Sequence, residues 1–169
     1  MNNYEKLLQK ASDENVTVYE SFDLNGDCGD CAPSERLAGL YIDGNIALDR
    51  NISTDIEKSC ILAEELGHHY TSYGNIMDLD DVQSRKQEYR ARMMGYDIKI
   101  GLSGIICAFE RGVQSKAEMA DYLIVTEEYL SAALDAYRKK YGKYVAFENY
   151  TIFFEPYFAV CKAFEDFVE

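Results

Sequence analysis

The sequence has 169 residues, the length of one ordinary domain, and 30 acidic against 17 basic side chains give it a formal net charge of −13. This charge disfavours nucleic acid as a direct partner, because proteins bind polyanions mainly through Lys and Arg. Only two histidines are present, which excludes a metal site built from three imidazoles. The N-terminus lacks the apolar core of a signal peptide and no apolar run is long enough to span a membrane, so we expect a cytoplasmic protein without membrane partners.

The first part of the chain predicts a helix, a strand and a β-hairpin, in that order. Apolar residues at helical spacing indicate a helix near the N-terminus. Residues 16–22 are rich in β-branched and aromatic side chains, which favour a strand. Between residues 39 and 48, apolar side chains alternate on either side of Asp43 and Gly44, a dipeptide that suits a two-residue turn. We therefore expect a small antiparallel sheet.

A polar loop between the first strand and this hairpin contains Cys28 and Cys31. Two cysteines at this spacing occur in zinc ribbons, but a zinc ribbon needs a second such pair, and the sequence has none. The spacing therefore leaves the role of these two cysteines open.

The rest of the chain is predicted to be mainly helical. Thr54 and Glu57 have the spacing of a capping box, and apolar residues follow at helical spacing until Gly74. The predicted elements after residue 54 are helices over 54–74, 84–98, 104–111, 115–123 and 126–142, a hairpin over 144–154, and a short helix from Tyr157 to Phe167 that carries Val160, Cys161 and Phe164 on one face.

These elements indicate an α+β fold in which the small antiparallel sheet packs on a helical body. The sequence contains no internal repeat and no linker rich in Gly or Pro. We therefore predict one domain over residues 1–169. Its expected parts are the sheet with the helices over 54–74 and 84–98 in 1–98, a helical group in 99–142, and the hairpin with its short helix in 143–169.

The segment with the clearest chemical pattern is CILAEELGHHYTS, residues 60–72. Zinc peptidases place two His four residues apart on one helix, with a Glu directly after the first, because side chains at this spacing can bind one metal ion. In this frame, Glu65 takes the position of the catalytic Glu and His68 that of the second ligand. Glu64 stands at the first ligand position, where a carboxylate can bind zinc as an imidazole does. The added carboxylate also favours harder ions such as Mn²⁺.

A third ligand must come from another helix, and Glu88 is the candidate. It lies in the segment RKQEYRARMMGY. Ala91 and Gly95 leave one face of this helix narrow enough to pack closely against a neighbour. The motif followed by a Glu on the next helix resembles a zincin whose third ligand is a glutamate.

Two other interpretations of this pattern remain open. His69 forms a second pair with Glu65 at the same spacing, although that pair would leave no obvious general base. The segment could also be a solvated helix face, on which Glu64 and His68 form a weak ion pair.

Beyond this motif, the sequence resembles the ImmA/IrrE family of metallopeptidases, in the short form found in prophages and other mobile elements. The resemblance extends over most of the chain. It is carried by the segments GLYIDGNIALDRNIS, ILAEELGHHYTS, RKQEYRAR, AEMADYLIVTEEYLSAALDAY and NYTIFFEP.

The resemblance implies a zincin-like fold and a metal-dependent endopeptidase, with Zn²⁺ as the metal. Family members in mobile elements act as antirepressors, because they cleave the helix-turn-helix repressor that keeps the element silent. Matched by position, Glu65 corresponds to the catalytic Glu, His68 to the second His ligand and Glu88 to the third ligand. Glu64 stands where the family has its first His. This departure leaves a second hypothesis open, a non-catalytic antirepressor or protein-binding module with a degenerate site that holds no metal.

The segment of residues 117–140 resembles a helix-turn-helix. In a DNA complex, the helix after Thr126 would enter the groove with Glu127 and Glu128 in its first turn, where they would face phosphates. We therefore expect no direct contact with DNA. These helices are predicted to form a structural subdomain or a surface that docks the repressor, and the acidic composition is compatible with a basic DNA-binding protein as the partner.

Overall fold

The computed structural model describes residues 2–26, 36–71 and 81–163. Cys28, Cys31 and the predicted helix end at Gly74 lie outside these ranges. Within the described ranges, no helix is both long and apolar enough to cross a membrane.

Contacts between the described residues divide them into two compact units. The first consists of the residues up to Lys99 together with Ile124–Thr126, and the second of Ile100–Leu123 and the residues from Glu127 onward. Each unit combines helices with a three-stranded sheet, so the fold class is α+β. The assignment of the whole chain to one domain stays a prediction.

The first unit contains the predicted hairpin and the longest helices. Asp43 and Gly44 have positive φ angles of 45° and 79° and form the predicted tight turn of the hairpin. The elements of this unit are α1 (Asn3–Asp13), β1 (Thr17–Phe22), β2 (Gly39–Ile42), β3 (Asn45–Asp49), α2 (Asp55–Thr71) and α3 (Asp81–Lys99).

The sheet of this unit is mixed, so the prediction of an antiparallel sheet is wrong for one of its two strand pairs. Its strand order is β1-β3-β2, with β2 antiparallel and β1 parallel to β3. A two-residue turn forces its two strands to run antiparallel, but the long connection after β1 permits either direction. The local pattern of β1 therefore predicts a strand without predicting its direction.

Helix α2 packs on the sheet and forms the centre of the core of this unit. Leu62 and Leu66 are fully buried together with Ile46 of β3. The predicted capping box is confirmed, because Thr54 Oγ1 accepts a hydrogen bond from the Glu57 backbone N–H at 3.2 Å, and the Thr54 N–H donates to the Glu57 carboxylate at 3.2 Å. The cap sets where α2 begins, and burial of its apolar face sets its orientation on the sheet.

The second unit contains the helical group and the last predicted hairpin. Tyr137 and Ile152 are fully buried, and Phe154 packs near Tyr137 with its ring centre 6.5 Å away, so aromatic residues form part of the core of this unit. The elements of this unit are α4 (Gly101–Glu110), α5 (Lys116–Leu123), α6 (Glu127–Tyr141), β4 (Tyr144–Phe147), β5 (Tyr150–Phe153) and β6 (Ala159–Lys162).

The last described element is a strand, so the helix predicted from Tyr157 onward is wrong over this part. β6 pairs antiparallel with β5, and Val160 lies opposite Ile152. A short segment gains more from the backbone hydrogen bonds of a neighbouring strand than from an isolated helical turn. Phe164 and Phe167, the other residues of the predicted helical face, lie outside the described ranges.

Candidate functional site

Helices α2 and α3 approach each other closely because small residues line their contact. A Cβ atom on Gly67 would lie 2.1 Å from the carbonyl oxygen of Ala91, and one on Gly95 would lie 3.0 Å from that of Ala63. Larger side chains would not fit at these distances. The prediction that Ala91 and Gly95 form a narrow packing face is confirmed, and Gly67 is their counterpart on α2. This packing places Glu88 of α3 beside α2.

His68 and Glu88 are brought together across this helix pair. Nε2 of His68 lies 3.4 Å from Oε2 of Glu88. The other carboxylate oxygen, Oε1, lies 2.7 Å from Nε of Arg92, which is one helical turn further along α3. Glu88 therefore presents one oxygen to an imidazole and the other to a guanidinium.

Glu65 is buried, with 9% of its surface exposed, and does not belong to a solvated helix face. The backbone N–H of Tyr41 in β2 donates a hydrogen bond to its carboxylate. Gly39 leaves the space for this carboxylate, since a Cβ there would lie 2.6 Å from Oε1 of Glu65. Burial and the nearby charges of Glu64 and Glu88 raise the pKa of Glu65 to about 8.

Glu64 is half-buried and belongs to the same electrostatic cluster. Burial raises its pKa, Arg92 opposes this rise, and Glu88 adds to it. Burial and then the charge of Glu64 raise the pKa of Tyr96 in α3, so its hydroxyl lies within electrostatic reach of this cluster. The carboxylates on α2 therefore interact with a shared group of charges on α3.

Burial lowers the pKa of His68 and so favours its neutral form. The charge of Glu88 acts in the opposite direction, and that of Arg92 acts in the same direction as burial. Neutral imidazole is the form that binds metal ions.

His69 has different neighbours from His68. Its Nδ1 lies 3.1 Å from the hydroxyl oxygen of Tyr41, which also accepts a hydrogen bond from the backbone N–H of Gly44 at 3.1 Å. The ring of His69 lies edge-on to the rings of Tyr41 and Tyr70, with centres 5.6 and 5.3 Å away. These contacts tie α2 to the hairpin of β2 and β3 and give His69 a structural role.

The donor set fits a divalent cation in its chemistry. The carboxylates of Glu64 and Glu88 and the neutral imidazole of His68 are ligands of Zn²⁺ and Mn²⁺, and a cation would stabilise buried carboxylates in their ionised form. Their placement agrees with a metal site only for two of the three side chains, His68 and Glu88, which contact each other. Within the ranges that the structure describes, no three His, Cys, Asp or Glu side chains are placed to hold one metal ion together.

Sequence reasoning missed three residues that shape this cluster: Arg92, Gly39 and Tyr41. Arg92 could have been found, because it follows Glu88 by one helical turn, the spacing of a stabilising ion pair. No pattern of neighbouring residues could have indicated Gly39 or Tyr41, because they contact Glu65 only through the packing of β2 on α2.

Comparison of this chain with protein-family models, with curated proteins and with solved structures finds no significant match. A functional assignment therefore depends on the residues of the cluster and on their arrangement.

Proposed function

We propose that the chain is a metal-dependent endopeptidase with a zincin-like fold, of the ImmA/IrrE type that its sequence resembles. The observation that carries this proposal is the position of the buried Glu65 in one cluster with the contacting pair His68 and Glu88. A proton-accepting group next to ligands from two helices is the arrangement that metal-assisted hydrolysis requires.

Each side chain of the cluster has a role in this proposal. Glu64, His68 and Glu88 would hold the metal, Zn²⁺ in the first place and Mn²⁺ as the harder ion that an added carboxylate favours. The bound ion would supply Lewis-acid chemistry at the scissile carbonyl. Glu65 takes the proton of the attacking water on its carboxylate and delivers it to the nitrogen of the leaving amine. The raised pKa of Glu65 belongs to the metal-free cluster, and a bound cation would lower it and keep the carboxylate ionised, the form that accepts a proton.

The substrate that we propose is a helix-turn-helix repressor of a prophage or other mobile element, cleaved in the cytoplasm. DNA-binding domains are basic, and the net charge of −13 on this chain would speed their encounter. The first turn of α6 carries Glu127 and Glu128, which supports a protein rather than DNA as the partner of the helical group.

Metal content tests the ligand set directly. We expect the purified chain to bind about one equivalent of Zn²⁺ after dialysis, measured by elemental analysis, and His68→Ala and Glu88→Ala to lose it. His69→Ala is the matched control and should keep the metal, because His69 contacts Tyr41 instead. Equal metal content in the His68 and His69 variants would contradict this ligand set.

Cleavage tests the activity. The chain is mixed with the repressor encoded beside it, and the products are identified by mass spectrometry. We expect Glu65→Gln to abolish cleavage while retaining the fold, and Glu148→Gln, the same change at an exposed position outside the helical group, to cleave normally. A wild-type chain that neither binds metal nor cleaves the repressor would overturn the proposal.

A second candidate function is a non-catalytic antirepressor that captures the repressor without cutting it. It is favoured by the lack of a three-residue metal cluster within the described ranges and by the ion pair of Arg92 with Glu88. In this case, repressor binding measured by calorimetry would be unchanged in Glu65→Gln and His68→Ala. Loss of antirepressor activity in both folded variants would exclude it.

A further inference from the structure

Arg92 is a charged residue of the cluster that the proposed reaction does not use. Its guanidinium Nε lies 2.7 Å from Oε1 of Glu88, while Oε2 of the same carboxylate lies 3.4 Å from Nε2 of His68. Two contacts on opposite oxygens restrict the rotation of a carboxylate more than either contact alone. The contact with Arg92 therefore favours an orientation of Glu88 in which Oε2 faces His68.

Arg92 is also a positive charge among several negatively charged side chains. Three carboxylates, those of Glu64, Glu65 and Glu88, interact with one another, and Arg92 is the cation that acts on both Glu64 and His68. In the usual motif a neutral His stands in place of Glu64. The extra negative charge at this position therefore faces a positive charge on α3.

We propose that Arg92 is a positioning residue of the site, which holds Glu88 by Oε1 so that Oε2 faces His68 and is available as a ligand. The inference builds on the proposed metal-binding function and adds a residue to it. It assigns Arg92 no contact with the metal or the substrate.

Two effects of removing Arg92 have opposite signs, so they can be separated by experiment. A guanidinium repels a cation, and its loss by charge alone would make cation binding tighter. Loss of a residue that orients a ligand makes binding weaker, typically by 10- to 100-fold. A surface ion pair with no role in the site would change the affinity little.

The first measurement is the affinity for Zn²⁺, determined by competition with a chromophoric chelator and corrected by His68→Ala for ions bound elsewhere. We expect Arg92→Gln to weaken binding by about 10-fold or more, and Arg92→Lys to restore part of the loss. Arg90→Gln removes the same charge from an exposed position on α3 and should change the affinity by less than about 3-fold. Tighter binding, or an effect equal to that of Arg90→Gln, would overturn the proposal.

The second measurement needs no metal. The chain has only two histidines, so its imidazole NMR signals are readily assigned with His69→Gln. In a chelating buffer, Arg92→Gln should shift the His68 signals in the same direction as Glu88→Gln does, whereas Arg90→Gln should leave them in place. Unshifted His68 signals in Arg92→Gln would contradict positioning. If wild type binds no more Zn²⁺ than His68→Ala does, the proposed metal site fails, and these spectra still decide whether Arg92 orients Glu88.

Discussion

Two buried carboxylates of the first unit, Asp49 at the end of β3 and Glu65 in the middle of α2, have opposite surroundings. Asp49 is 4% exposed and Glu65 is 9% exposed. Asp49 accepts hydrogen bonds from the backbone N–H groups of Leu24 and Asn51 at 3.0 and 2.8 Å, and from Nδ2 of Asn25 at 2.9 Å. Glu65 has two further carboxylates as its charged neighbours.

The two pKa values differ accordingly. Burial acts to raise the pKa of Asp49, yet the hydrogen bonds of Asn51, Leu24 and Asn25 outweigh it and lower the pKa below its usual value. At Glu65, burial and its charged neighbours act together and raise the pKa to about 8. Hydrogen bonds within the fold stabilise the ionised form of Asp49. Glu65, in contrast, must either bind a proton or lie beside a cation. Burial alone therefore does not identify a functional carboxylate, but burial that hydrogen-bond donors do not offset helps to do so.

The largest effect that we expect is on the pH dependence of stability. With a chelator present, the free energy of unfolding should fall as pH rises from about 4.5, the ordinary pKa of Glu65, to about 8, because the folded state binds this proton more tightly. At 1.36 kcal/mol per pKa unit the upper bound is roughly 5 kcal/mol. Glu65→Gln should remove most of this slope in denaturant unfolding at several pH values. The same slope in both proteins would show that Glu65 is not the group responsible.

The next largest effect should come from Asp49→Ala. This change leaves the N–H groups of Leu24 and Asn51 without their acceptor, so we expect a loss of about 3 kcal/mol in the free energy of unfolding at pH 7. The loss should shrink at low pH, because the contribution of Asp49 is present above 3.8 and disappears as pH falls through its lowered folded-state pKa. Asp121→Ala, at an exposed position, should cost less than about 0.5 kcal/mol, and an equal cost for both variants would contradict the role of Asp49.

A smaller effect should follow from Gly39→Ala. The added Cβ would lie 2.6 Å from Oε1 of Glu65 and 2.7 Å from Cγ2 of Ile61, which we expect to cost about 2 kcal/mol. Because part of this clash is with the carboxylate, Glu65→Ala should recover about 1 kcal/mol of the loss in a double-mutant cycle. Strictly additive costs would show that Gly39 does not accommodate Glu65.

The smallest effect should come from Tyr41→Phe. The change removes the hydroxyl that lies 3.1 Å from Nδ1 of His69 and accepts from the N–H of Gly44, so we expect a loss of about 1 kcal/mol. The backbone N–H that binds Glu65 remains, and the pH slope assigned to Glu65 should be unchanged. A changed slope would show that His69 and the Tyr41 hydroxyl act on the carboxylate cluster and not only on the hairpin.

The features that could be predicted from the sequence are those that neighbouring residues determine. Asp43 and Gly44 specify their turn because both adopt positive φ, and Thr54 specifies the start of α2 through its bond with Glu57. The helical period predicts that Glu65 and His68, three residues apart, lie near each other on one helix. These relations span at most four residues, so they are visible in the chain itself.

The features that could not be predicted depend on contacts between distant segments. Nothing in the sequence of β1 specifies that it runs parallel to β3, and nothing near Val160 specifies that it pairs with Ile152. The space that Gly39 leaves for Glu65 likewise exists only because β2 packs on α2. Arg92 is a partial exception. Its spacing of one helical turn from Glu88 is visible in the sequence, but its contribution to the site depends on His68, which lies across the contact between α2 and α3.

The hydrogen bond from the Tyr41 N–H to Glu65 also bears on the open edge of the first sheet. β2 is an edge strand of four residues, and Leu40 and Ile42 on it are exposed. An open strand edge with apolar side chains can pair with the edge of another molecule. Here the outward N–H of Tyr41 is already bound by a carboxylate, and a second strand would have to displace it. The same glutamate that we assign to proton transfer therefore also occupies a backbone donor that a second strand would need.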